Sequence, residues 1–133
     1  MSEISHYNPP ELPVPSGYSH ASSGSGEVVY IGGQVGCDVS GRILEPGDIA
    51  AQFGRAIRNL VVALAAAGCQ PADVVKVTYM VTDVAAYRAA RKPIGAHYRE
   101  AFGRHFPAST LIEVKGLFDP WAAVEIEAVA IRG

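Results

Sequence analysis

Short runs of β-branched and aromatic residues recur along the chain and predict its strands. Residues 27–34 (EVVYIGGQ) follow a turn rich in serine and glycine, as expected for the second strand of a hairpin. Further segments of strand-forming composition are residues 18–23, 42–44, 74–82, 110–114 and 124–131. Residues 18–23 are predicted to be the hairpin partner of residues 27–34. The pattern predicts five or six strands.

A first stretch of helical periodicity follows Asp48, whose carboxylate can cap free N–H groups of a first helical turn. Gly68 is predicted to end this helix as its C-terminal cap. Gln52, Arg55 and Arg58 fall outside the apolar stripe. Apolar residues at spacings of three and four form that stripe: Ile49, Phe53, Ile57, Leu60 and Leu64.

A second helix is predicted after Asp83, which is again placed as an N-terminal cap. Pro93 lies inside this segment, so a kink or a break is expected near it, because proline lacks the backbone N–H and clashes with the preceding turn. The apolar side of this helix carries Tyr87, Ile94, Tyr98 and Phe102.

These elements predict an α+β fold in which both helices pack on one face of a single mixed sheet. The other face must then be polar or covered by another subunit, and 49% hydrophobic residues favour the second arrangement. Residues 1–133 are expected to form a single domain. Residues 1–16 are rich in proline and are predicted to be an extended arm lying on that domain.

The charge, the cysteine and histidine spacing and the apolar runs of the chain disfavour several classes of function. The formal net charge of -2 provides no basic surface for a phosphate backbone, so no nucleic-acid partner is expected. Cys37 and Cys69 form no C-x-x-C pair, the histidines show no metal-binding spacing, and no metal site is expected. Both thiols are predicted to be buried and free. No apolar run approaches the length of a membrane span, which favours a soluble, cytoplasmic protein.

An ordered set of short motifs resembles the Rid (reactive intermediate deaminase, YjgF-type) family, also labelled endoribonuclease L-PSP. The motifs open with GYSHA and VYIGGQVG and close with VEIEAVA, and they cover nearly the whole chain. The resemblance implies a fold similar to the bacterial AroH-type chorismate mutase. It also implies a homotrimer that encloses a barrel-like core, with small-molecule pockets between neighbouring subunits.

In the deaminating branch, the resemblance implies hydrolysis of enamines and imines to a keto acid and ammonia, without metal or cofactor. An arginine that holds the substrate carboxylate follows the Pro-Ala before the penultimate strand. Here that position is Ser109. A hydroxyl cannot replace a bidentate guanidinium, and binding of an α-imino acid should weaken by about 100-fold or more. The usual 2-imino acids are therefore not expected to be the substrates.

The resemblance assigns further pocket residues. Glu125 matches the carboxylate that positions the attacking water, and Tyr18 matches the pocket tyrosine. Gly32 and Leu111 replace a serine and a cysteine of the deaminating pattern, which makes the pocket less polar. Further residues expected to shape the site are Gly33, Gln34 and Arg91.

Each assignment has a plainer interpretation. Glu125 and Glu127 share one face of the last strand, about 7 Å apart, and a solvated face would explain both. Arg91 could lie on a solvated helix face rather than supply a cation. The glycine pair at 32–33 has no helix N-terminus directly after it, so close backbone approach explains it better than an anion-binding loop. Trp121 is predicted to close the core rather than to wall the pocket.

Three functions are compatible with the sequence. The first is a cofactor-independent deaminase of a small imine or enamine, with Glu125 as the catalytic group. The second is a trimeric binding or regulatory protein that has lost catalysis. The third is a ribonuclease or translation inhibitor, which the acidic balance of the chain disfavours.

Overall fold

The computed structural model describes residues 3–133 and has the predicted α+β architecture. A 3-10 turn, Pro71–Asp73, precedes the strand that begins at Val74. The strands are β1 Ser5–Tyr7, β2 Ala21–Ser23, β3 Glu27–Val35, β4 Val74–Val81, β5 Ala108–Glu113 and β6 Val124–Arg132. The helices are α1 Ile49–Ala66, α2 Val84–Ala89 and α3 Arg91–Phe102.

The six strands form two sheets rather than one. The main sheet is mixed and has the order β3-β6-β4-β5, with β4 and β5 parallel and the other pairs antiparallel. Strands β1 and β2 pair with each other in a separate sheet. The segment predicted at residues 42–44 forms only an isolated bridge, between Ile43 and Cys37.

The hairpin predicted between residues 18–23 and 27–34 is wrong. Strand β3 pairs with β6, which leaves β2 to pair with β1. The segment before β3 is instead held against the start of β5. The backbone N–H of Ala108 donates to Ser22 Oγ (2.7 Å), and the N–H of Ser19 donates to the carbonyl of Pro107 (3.2 Å). Because of these contacts, residues 19–22 lie beside β5 rather than beside β3.

Helix α1 begins and ends as predicted. The backbone N–H of Ala51 donates to the Asp48 carboxylate (3.0 Å), and Gly68 takes a positive φ of 75° just after the helix ends. Contrary to the expectation from the sequence, α1 is long and apolar enough to cross a bilayer. Its apolar stripe is buried against the sheet, however, as in the core helix of a soluble fold.

The second helical segment breaks in two, as Pro93 predicts. Helix α2 ends at Ala89 and α3 starts at Arg91, so Pro93 lies in the first turn of α3, where a missing N–H costs little. Asp83 caps α2 by accepting the N–H of Ala86 (3.1 Å).

The core lies between one face of the main sheet and helices α1 and α3. Alternate residues of β6 face it, whereas Glu125 and Glu127 lie on the opposite, open face. Two predictions about buried groups are wrong. Trp121 is 67% exposed, because it sits in the loop before β6, and Cys37 is only half-buried.

The predicted N-terminal arm contributes a strand. Residues 5–7 form β1, and residues 1–2 lie outside the described part of the chain. The Asn8 side chain accepts the backbone N–H of His20 (2.8 Å), and the His20 ring donates to the carbonyl of Pro13 (2.7 Å). The arm is thereby fixed along the segment that leads to β2.

Candidate functional site

A cavity of about 550 Å³ opens on the helix side of the main sheet. We call it the ring cavity, because aromatic side chains form its floor. Phe53 stacks on Tyr79, with ring centroids 5.8 Å apart, and Tyr98 stacks on Phe106 at 5.6 Å. The cavity has the size of sites that hold small organic ligands.

Four of the residues predicted from the sequence line the ring cavity: Tyr18, Arg91, Ser109 and Leu111. Strand β5 is parallel to β4 in a register that pairs Leu111 with Tyr79, so Ser109 and Leu111 both face the helices. Tyr18 lies two residues beyond the N-terminal arm and packs edge-on against His20 (5.2 Å). Arg91 is the first residue of α3.

Glu125 belongs to a different place. It is half-buried on the open face of the sheet and pairs with Val35 on β3 and Met80 on β4. A Cβ added to Gly33 would lie 2.7 Å from the Glu125 carboxyl carbon, so only a glycine lets this carboxylate lie against β3.

The two glycines on β3 differ. Gly32 has open space where a side chain would begin, while Gly33 is covered by Glu125. Gln34 Nε2 donates to the carbonyl of Gly32 (3.2 Å), and the register of β3 against β6 shifts between Ile31 and Gln34. This irregularity is typical of strands that bring backbone close to a ligand. Gly32, Gly33, Gln34 and Glu125 together form what we call the Glu125 surface.

The predicted site residues therefore fall into two clusters on opposite faces of one sheet. Tyr18, Arg91, Ser109 and Leu111 line the ring cavity, whereas the Glu125 surface points the other way. One chain does not bring the two clusters together. A site that uses both must take one cluster from each of two chains.

Several cavity residues were missed by sequence reasoning, which assigned their positions to core or surface. Phe53, Tyr87, Ile94 and Tyr98 follow the apolar periodicity of their helices, and that pattern does not distinguish a cavity wall from a packed core. Arg99 had a signal: it lies eight residues after Arg91, on the same side of a helix.

Burial shapes the chemistry of the tyrosines in the ring cavity. It raises the pKa of Tyr79 well above its ordinary value, and it also raises the pKa values of Tyr87 and Tyr98. These phenols therefore stay protonated at neutral pH. The Tyr98 hydroxyl donates to the carbonyl of His105 (2.5 Å).

No group of three or more His, Cys, Asp or Glu side chains in residues 3–133 is arranged to hold a metal ion. The ring cavity offers rings, hydroxyls and two guanidinium groups, and the Glu125 surface offers a carboxylate beside exposed backbone. Such groups can bind a small molecule and move a proton.

The family model described as endoribonuclease L-PSP matches residues 11–132. A human 2-iminobutanoate/2-iminopropanoate deaminase is 35% identical over 105 residues, which are 79% of this chain and 73% of that protein. A RutC family protein from Pyrococcus abyssi is 32% identical over 123 residues, which are 92% of this chain and 92% of that protein. A Rid-family protein of unknown function from Yersinia pestis has a similar structure, with a TM-score of 0.83 and 34% sequence identity. The match covers 98% of this chain and 99% of that protein.

Proposed function

The chain belongs to the Rid/YjgF family, also known as the endoribonuclease L-PSP family, and from this membership we infer that it hydrolyses a small reactive imine or enamine. The human relative is named for such a reaction. The proposed enzyme needs neither metal nor cofactor and works in the cytoplasm.

The observation that carries this proposal is the division of the site residues between two faces of the sheet. In the proposed homotrimer, the Glu125 surface of one chain faces the ring cavity of its neighbour, and each of three pockets takes one cluster from each side. Apolar side chains on the open face support this arrangement. Tyr30 is 78% exposed, Val28 46% and Ile112 45% in the single chain.

In the proposed reaction, Glu125 holds a water molecule against the carbon of the C=N group. The water oxygen attacks that carbon while the Glu125 carboxylate accepts a proton from the water. Transfer of protons to the nitrogen then releases ammonia and leaves a carbonyl compound. Gly33 supports the reaction because it leaves room for the Glu125 carboxylate.

The usual 2-imino acids are not the proposed substrates. Ser109, in the position that the family resemblance gives to the carboxylate-binding arginine, is half-buried in the ring cavity and presents only a hydroxyl. The proposed substrate therefore does not depend on an α-carboxylate held from β5.

The first test compares ammonia release from two imines formed in situ, one from an amine by an amine oxidase and one, 2-iminopropionate, from alanine by an amino acid oxidase. Imines hydrolyse spontaneously, so the quantity measured is the rate above a protein-free control. Wild type should accelerate hydrolysis of the first imine, and Glu125→Gln should lower this acceleration by about 100-fold or more. Ser109→Arg should gain activity on 2-iminopropionate.

Two results would contradict the proposal. Undiminished ammonia release by Glu125→Gln would remove Glu125 from the mechanism. No acceleration of any imine by wild type or Ser109→Arg would favour a trimeric binding protein without catalysis, and a ligand bound one per pocket and returned unchanged would establish that function.

A further inference from the structure

Two arginines of α3 lie at the mouth of the ring cavity. Arg91 and Arg99 both line the cavity, both are exposed, and the buried side chains of Ile94 and Tyr98 lie between them along the helix. Gly95 lines the cavity between the two arginines. A Cβ on Gly95 would be 3.2 Å from Arg99 Nη1, so the Arg99 guanidinium folds back over the glycine toward Arg91. The glycine leaves the space that this conformation needs.

Among residues 3–133 of one chain, neither guanidinium has a carboxylate partner. Across residues 3–133, Arg55 and Arg132 form ion pairs with Glu45 and Glu27, but no acidic group lies within 4.0 Å of Arg91 or Arg99. Neither arginine side chain hydrogen-bonds to another described residue either. Two unpaired cations thus stand at the entrance of a largely aromatic cavity, where an anion could bind both.

The floor of the ring cavity includes the hydroxyl of Tyr79. Tyr79 is 7% exposed, and its hydroxyl has no hydrogen-bond partner in the described part of the chain. Since no fully buried side-chain oxygen or nitrogen there lacks a partner, the Tyr79 hydroxyl must reach the open space of the cavity. A hydroxyl in this position can donate to or accept from a polar group of a ligand.

We propose that the ring cavity binds a carboxylate compound with an aromatic body, and that Arg91 and Arg99 hold its carboxylate from the helix side. The ring of the ligand packs on the aromatic floor near Phe53 and Tyr79. This inference rests on the proposed function, because it names the class of substrate or product for the same pocket.

The position of the two arginines also determines where the carboxylate lies along the ligand. Arg91 and Arg99 are on α3, whereas Ser109 lies on β5 at another wall of the cavity. A carboxylate bound to α3 is therefore separated from the carbon of the C=N group by a spacer. This differs from an α-imino acid, whose carboxylate is attached to that carbon.

Binding of stable ketones tests this inference without any need for catalysis. The probe is 3-benzoylpropionate, which carries a phenyl ketone and a distant carboxylate. Its neutral amide has nearly the same shape, and levulinate keeps the carboxylate but lacks the phenyl ring. In calorimetric titrations of the full chain, the amide and levulinate should each bind at least tenfold more weakly than 3-benzoylpropionate.

The variant Arg91→Gln/Arg99→Gln should weaken binding of 3-benzoylpropionate by tenfold or more and leave binding of the amide unchanged. Tyr79→Phe should weaken both ligands by a similar, smaller factor. Arg88→Gln serves as the matched control, because Arg88 is an exposed arginine of α2 that does not line the cavity. It should bind both ligands as wild type does.

The inference would be overturned by equal affinity for the acid and the amide, by full binding of the acid to the double variant, or by no binding of the acid to wild type at millimolar concentration. Failure of the proposed function looks different. Glu125→Gln and wild type would both bind 3-benzoylpropionate in an arginine-dependent way, while wild type released no ammonia from any imine.

Discussion

Among single residues, Gln52 joins helix α1 to the loop before it and to the loop before β6. Its side chain is fully buried. Its Nε2 group donates to the carbonyls of Glu45 (3.0 Å) and Trp121 (3.2 Å), and its Oε1 accepts the backbone N–H of Ala123 (2.7 Å). Helix α1 thereby holds the loop that leads into β6 and so fixes the start of the strand that carries Glu125.

Replacing Gln52 by leucine should lower the free energy of unfolding by at least about 2 kcal/mol, because two carbonyls and one N–H would lose their partner in a buried place. Urea denaturation measures this loss. Arg58→Leu is the control on the same helix: Arg58 is exposed, and its replacement should change stability by no more than about 0.5 kcal/mol. Equal losses in the two variants would mean that the Gln52 hydrogen bonds contribute little.

The sequence did not indicate the role of Gln52. Gln52 falls outside the apolar stripe of α1, and the helical periodicity predicts that a polar residue outside this stripe faces solvent. Its partners are backbone groups 7 to 71 residues away along the chain, and no local pattern reports such contacts. Trp121 was misjudged for a related reason, since a large apolar side chain in a loop can be exposed when the loop backbone is held by another residue.

At the scale of elements, the N-terminal strand β1 meets the body of the protein at a pair of histidines. The rings of His6 and His105 are 5.2 Å apart, and the His105 ring donates to the carbonyl of Val74 (2.7 Å). Partial burial, with a smaller contribution from the nearby His105, lowers the pKa of His6 below its ordinary value of 6.5. Protonation of His6 is thus disfavoured while β1 is docked.

Docking of β1 should therefore weaken on acidification. Because the pKa of His6 is lower in the docked state, the stabilisation is fully present above pH 6.5 and decreases as the pH falls below that value. Hydrogen exchange of the β1 and β2 amides, compared at each pH between wild type and His6→Gln, measures this effect. Wild type should lose protection relative to the variant near pH 5, and a constant ratio would contradict the interpretation.

Most elements could be predicted from the sequence, whereas one strand pairing could not. The capping carboxylates of Asp48 and Asp83 and the break at Pro93 depend on neighbouring residues, and all three are confirmed. The pairing of β2 depends on contacts with residues 107–108, far along the chain. A short strand beside a glycine-rich turn resembles half of a hairpin, whatever its actual partner is.

At the scale of the whole molecule, the open sheet face determines how chains assemble in the proposed trimer. The wild-type trimer should have a mass of about 42 kDa, three times 14.0 kDa. Ile112→Asp places a charge on the open face and should yield monomers instead. Val62→Asp is the control, since Val62 is also an exposed apolar residue but lies on α1. Light scattering coupled to size exclusion measures both. A trimeric Ile112→Asp variant would place the interface elsewhere.

The candidate site was only partly visible in the sequence. The resemblance to the family selects Tyr18, Arg91, Ser109 and Leu111, which do line one cavity, and Glu125, which does not. Alternation along β6 and β5 assigns residues to the two faces of the sheet, but it cannot say which faces of different chains meet. That information depends on assembly.

The division of these residues between opposite faces would also affect how mutations combine. In a mixed trimer of the proposed kind, a chain that lacks Glu125 would inactivate the pocket to which it contributes the Glu125 surface. The same chain would still contribute an intact ring cavity to a second pocket. Two defective alleles, one damaged on each face, could then restore some complete pockets in a cell that carries both. A single defective allele, by contrast, would remove pockets only in proportion to its share of the chains, because each damaged surface belongs to one pocket.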